Sequence, residues 1–136
     1  EGSLITKDSR KVSRWIIYKA QLLKNQAQKS KQQYIMTLDT SENRIWISTP
    51  GLDEEALDAA KESAYDLPEG MEITDVSYPG DEKISSGDAP IRFFPGGYTD
   101  KAAIHLQDED YTVKTLIIEP FLNQIKSYDD YVDFEG

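Results

Sequence analysis

Cysteine is absent from this chain, which excludes disulfides, iron–sulfur clusters, thiolate metal sites and a cysteine nucleophile. Histidine occurs once, at His105, so one chain cannot build a multi-histidine metal site. Long apolar runs are missing too. Trp15-Ile16-Ile17-Tyr18 and Leu116-Ile117-Ile118 fall far short of the ~18 residues that span a bilayer. No signal peptide is visible, and the chain opens on Glu1-Gly2-Ser3 rather than on methionine. Positive charge is scarce: 15 Lys and Arg stand against 25 Asp and Glu, for a net charge of −10. That balance argues against a general nucleic-acid binder. What is present is 136 residues, 38% apolar and 29% charged, enough for one soluble domain with its own core.

The charge is unevenly spread. Residues 1–32 carry eight basic residues (Lys7, Arg10, Lys11, Arg14, Lys19, Lys24, Lys29, Lys31) against Glu1 and Asp8, a net +6. Residues 33–136 carry seven basic residues against 23 acids, a net −16. A basic front on an acidic body fits electrostatic packing between neighbouring copies, or a segment lying near anionic lipid. It fits equally a solvated helix on an ordinary acidic domain.

Residues 8–32 read as one long helix. Asp8 or Ser9 can cap its start, and Val12, Trp15, Ile16, Leu22, Leu23 and Ala27 recur at spacings of three and four. Glycine and proline are absent throughout that stretch. The period then drops to two. Strands are expected over 34–38 and 44–48, joined by Thr40-Ser41-Glu42-Asn43 as a hairpin turn. An acidic helix follows over 53–64, then an alternating strand over 71–76. Residues 79–90 are rich in Gly, Pro, Ser and Asp and read as a surface loop. Further strands are expected over 91–94, 102–107 and 111–119, closed by Pro120. The tail, 128–136, is acidic and aromatic and reads as frayed. There is no internal repeat. The order predicts an α+β domain spanning 1–136: a helix arm over 8–32, packed on antiparallel sheet formed mainly by 33–136.

Little in the sequence points to catalysis. A Ser-His-Asp triad would need His105, which alternates with Ala103 and Gln107 opposite Ile104 and Leu106. It reads as an ordinary surface or edge histidine, and no G-x-S-x-G elbow supplies a nucleophile. Gly96-Gly97 reads as a turn and not a phosphate cradle, since neither dinucleotide nor P-loop spacing occurs. The acid clusters are Asp53-Glu54-Glu55, Asp108-Glu109-Asp110 and Asp129-Asp130-Asp133. They read as solvated turns and helix starts. The alternative is a calcium site in one of them, although none carries the twelve-residue loop with its central glycine. No pair of carboxylates is singled out for glycosidase chemistry. Trp15 and Trp46 read as helix–sheet packing rather than as ligand-stacking platforms.

Three strings, in order, resemble the type IV pilin-like proteins, in particular the minor pseudopilins of GspH/FimT type. The first is the helix 9–31 stepping into Gln33-Tyr34-Ile35-Met36-Thr37-Leu38. The second is Leu67-Pro68-Glu69-Gly70-Met71-Glu72-Ile73-Thr74-Asp75-Val76, similar to the family's L-P-x-G entry into a strand. The third is Ile91-Arg92-Phe93-Phe94-Pro95-Gly96-Gly97-Tyr98 followed by Ala103-Ile104-His105-Leu106. It departs from the family at Gly96, where an acid often stands, and at Pro120-Phe121-Leu122-Asn123-Gln124, which replaces the final turn.

The resemblance implies a pilin-like fold and a non-enzymatic subunit of a type II secretion or type IV pilus apparatus. Its partners would be other pseudopilin subunits. An apolar helix upstream of residue 4 would anchor it in the bacterial inner membrane, with the globular domain facing the periplasm, and no cofactor is implied. Interface residues are then expected at Arg10, Arg14, Trp15 and Ile16 on the arm, and at Ser86 and Asp88 in the loop 79–90, the expected variable recognition surface. The competing expectation is a soluble acidic binding module, with calcium or a basic partner as its ligand.

Overall fold

A computed structural model describes residues 7–121 and 124–134. The opening tripeptide, two residues of the stretch 120–124 and the last two of the tail lie outside the described residues. The first element is α1 (Lys7–Ser30). Its buried apolar side chains, Val12, Ile16, Ala20, Leu23 and Ala27, recur every three or four residues and lie on one side of the helix. α1 closes without glycine. Lys31 takes a left-handed backbone (φ 56°), and Gln32 N–H reaches back to the Ala27 carbonyl at 3.2 Å. A left-handed L-residue costs about 1–2 kcal/mol, part of which glycine recovers. Lys31→Gly is therefore expected to raise stability by about 0.5–1 kcal/mol in a thermal melt; a lowered melting temperature would show that the left-handed turn is not strained.

β1 (Tyr34–Asp39) and β2 (Arg44–Ser48) form the expected hairpin. Asp39 builds its turn: one carboxylate oxygen accepts from Ser41 and Glu42 N–H and the other from Arg44 Nε. α2 (Glu54–Glu62) starts on Asp53, whose carboxylate accepts from Ala56 N–H at 2.8 Å. There follow β3 (Tyr65–Asp66), β4 (Glu72–Tyr78), β5 (Glu82–Ile84), β6 (Asp88–Phe93), β7 (Ala102–Gln107), β8 (Val113–Ile118) and β9 (Lys126–Tyr128).

The strands make two antiparallel sheets, ordered β3-β2-β1-β6 and β5-β4-β7-β8-β9. One contiguous core joins α1 to both: Val12, Ile16 and Leu23 share it with Met36, Leu38, Ile91 and Phe93 of the first sheet and with Ile73, Ile104, Leu106 and Leu116 of the second. The sheets are also tied to each other. Asn43 Oδ1 accepts from Ile73 N–H at 2.9 Å, and Tyr78 O–H donates to the Pro90 carbonyl at 2.8 Å. Burial pushes the Tyr78 hydroxyl well above its ordinary pKa, with Asp100 and Glu82 adding to it and Arg92 opposing.

This corrects the expected fold. The described residues form a mixed α/β fold with an N-terminal helix over 7–30 and nine strands in two sheets, more strand-rich than a pilin-like fold. The excess comes from β3, β5 and β9, edge strands two or three residues long that carry no period-two pattern. The segment 79–90 is likewise not one loop. It holds β5 and the start of β6, where Pro90 is accommodated because β6 is an edge strand.

Candidate functional site

α1 buries one face and presents another. Arg10, Arg14, Tyr18 and Leu22 stand at every fourth position, and all four are exposed, Tyr18 by 67% and Leu22 by 40%. Beside this row lies a groove of about 570 Å3 with mainly apolar walls. Arg14, Ile17 and Tyr18 line it from α1, Phe93 from β6, Ile118 from β8, and Ile125 from the segment before β9. An aromatic group is exposed near the turn after β6. Tyr98 stacks on Phe94 with ring centroids 4.7 Å apart, and Phe121 lies 5.9 Å from Tyr98.

The expected interface residues separate. Arg10 and Arg14 are on the exposed face. Ile16 is fully buried in the core and cannot meet a partner. Trp15 is half-buried, and its ring stacks on Tyr65 with centroids 4.2 Å apart and nearly parallel planes. Ser86, before β6, and Asp88, its first residue, are both exposed beside the β1–β2 turn, where Gly87 N–H donates to Ser41 Oγ and its carbonyl accepts from Thr40. Neither lines the groove beside α1.

A second constellation lies on the opposite face of the second sheet. His105 is 0% exposed, which overturns its reading as a surface or edge histidine. Its face of β7 does carry the polar side chains, but residues 130–134 lie across that face as a strap. Nδ1 of His105 is 2.6 Å from Asp75 Oδ1, Nε2 is 2.6 Å from the Val132 carbonyl, and the ring stacks on Tyr131 at 3.8 Å. Tyr131 O–H donates to Asp75 and accepts from Lys83 Nζ at 2.7 Å. That hydrogen bond holds the Lys83 ammonium above its ordinary pKa. Thr115 Oγ1 donates to the Asp130 carbonyl at 2.6 Å and accepts from Val132 N–H at 3.0 Å.

A bulge positions this centre. Ile73 pairs with Leu106 and Asp75 with His105, so β4 spends one extra residue, Thr74, against β7. Without it Asp75 would oppose Ile104 on the core face. With it, Val76 takes the core position and Asp75 faces His105. The row then continues through His105, which pairs with Thr115 on β8.

The tail is thus ordered, against the expectation of a frayed end, through residue 134. One signal in the sequence bears on His105. Ala102 to Leu106 is a nearly unbroken small or apolar run, the pattern of a central strand covered on both faces.

The acid clusters remain dispersed. Among the described residues no group of three or more acids or histidines is assembled to hold a metal ion. Asp108 is the exception in character. It is 6% exposed, one carboxylate oxygen accepts from Asp110 and Thr112 N–H, and the other is buried without a partner.

No protein-family model matches the chain, and neither a curated protein nor a solved structure matches it.

Proposed function

We propose that this chain is a non-enzymatic assembly subunit of pseudopilin kind, which docks on neighbouring subunits through the solvent face of α1 to form a short periplasmic filament serving protein export or a pilus. The observation that carries this reading is the exposed row Arg10, Arg14, Tyr18 and Leu22 beside an apolar groove. Arginine and tyrosine are enriched among the residues that contribute most at protein interfaces. The +6 arm and −16 body add complementary charge between copies. The three ordered strings supply the class of apparatus, and with it other pseudopilin subunits as partners and an inner-membrane anchor upstream. The reading does not draw on the fold, which is more strand-rich than a pilin-like one.

Arg14→Glu separates assembly from folding. An exposed substitution changes stability by less than about 0.5 kcal/mol, so the melting curve is expected to stay in place. Incorporation into the assembly, followed by cross-linking in membranes, is expected to drop severalfold. A variant that melts early, or that assembles as well as the wild type, argues against this face as the interface.

Asp108 favours a second reading, a calcium-binding acidic module. It has one carboxylate oxygen buried without a partner, and the residue lines a small cavity together with Asp8, Glu69 and Glu109. Calcium takes six to eight oxygens, and with no group of three or more acids assembled among the described residues, backbone carbonyls and water would have to supply most of them. A saturable upward shift in melting temperature with calcium supports it, and no shift at millimolar calcium removes it.

A further inference from the structure

His105 has an acceptor oxygen at each ring nitrogen, both at 2.6 Å. A neutral imidazole carries one N–H and could satisfy only one of them. The other contact would then set a nitrogen lone pair against an oxygen lone pair in a fully buried site. Only the imidazolium donates to both. The Asp75 carboxylate supplies the countercharge on one side, and on the other the Val132 carbonyl receives a charge-assisted hydrogen bond. We propose that residues 130–134 form a proton-locked strap, held over the second sheet by doubly protonated His105 and released as pH rises and Nε2 gives up its proton.

The neighbouring groups set the direction. From β4, Asp75 faces Nδ1 and keeps a proton there. From β5, Lys83 reaches Tyr131 O–H and lies 3.7 Å from Asp133. From β8, Thr115 offers a hydroxyl that does not titrate in this range. From the strap, Tyr131 covers the ring and Asp133 accepts from Ser77. The proton with the weaker hold is therefore the one on Nε2, whose partner is a neutral carbonyl on the strap. The tie is complete in acid, and it is this tie that fails as pH rises.

Opening would uncover Asp75, His105 and Thr115, a carboxylate, an imidazole and a hydroxyl in cross-strand register on three adjacent strands. In the closed state the strap occupies all three. The proposal is independent of how α1 is used.

The test uses the 15N-labelled chain from about pH 5 to about pH 9, a span that brackets the range in which an ordinary histidine changes charge. Ring nitrogen shifts report the proton state of His105. Exchange of the Val132 amide, corrected for intrinsic base catalysis, reports the strap. The expected result is a doubly protonated ring with a protected amide in acid. Loss of the Nε2 proton and a roughly tenfold loss of protection should then share one midpoint, with β7 amides unchanged. His105→Gln, whose amide donates at every pH, is expected to flatten the corrected profile. If that variant does not fold, the coincidence of the two wild-type curves decides alone. A ring that keeps one proton state across the range overturns the proposal, as does a strap that stays closed while the ring titrates.

Discussion

Asp75→Ala is expected to destabilise the chain by about 3–5 kcal/mol, measured as a shift in denaturant midpoint at constant slope. The carboxylate is almost wholly buried and accepts from His105 and from Tyr131. Removing it leaves Nδ1 of the buried His105 ring without its partner and the Tyr131 hydroxyl with one partner fewer. Breaking one side of a buried charged pair costs that much because the remaining group stays desolvated. Tyr131→Phe is the control. It removes the hydroxyl while keeping the stacked ring, and at a net hydrogen-bond value it should cost only about 1–1.5 kcal/mol. A small effect from both substitutions would mean that the strap contributes little to folding. The two effects are not expected to add in a double variant, since both act on the same carboxylate.

Ile16→Ala gives the second large effect, about 2–5 kcal/mol. Ile16 is 0% exposed on the inner face of α1, in the core shared by both sheets. Truncation removes buried surface and leaves a cavity that packed strands on two sides fill poorly. Its near neighbour Arg14 is exposed, so the pair forms a contrast on one helix: Ile16→Ala lowers the melting temperature of the isolated domain, and Arg14→Glu leaves it in place. The reverse pattern would contradict the assignment of the helix faces.

The same two residues show what the sequence made legible. The helix, the first hairpin, α2, β4, β7 and β8 all follow from period and turn chemistry, with ends within a few residues. The direction of the α1 face was less legible. Trp15 and Ile16 are adjacent large apolar residues, and periodicity alone does not say which one the core takes. The structure gives the core to Ile16 and stacks Trp15 on Tyr65, a residue of a strand too short to recognise.

The buried centre was hidden for two physical reasons. The bulge at Thr74 breaks the alternation of β4, so the strict period of two sends Asp75 to the wrong face. The strap that buries His105 consists of acidic and aromatic residues, a composition normally left in water. It is held by hydrogen bonds to side chains some 15 to 56 positions away in the chain. The third and fifth strands and the ninth are decided by the sheet edges they complete. Extended backbone at an edge needs partners more than it needs any particular residue.

The central functional claim, an assembly subunit anchored upstream of its globular domain, is tested most directly at the N-terminus of the native protein. Mass spectrometry of material extracted from membranes should find an N-methylated residue followed by about 20 apolar residues leading into Leu4. A native protein in the soluble fraction that starts near Ser3 would contradict the account and leave the acidic binding module as the reading to pursue.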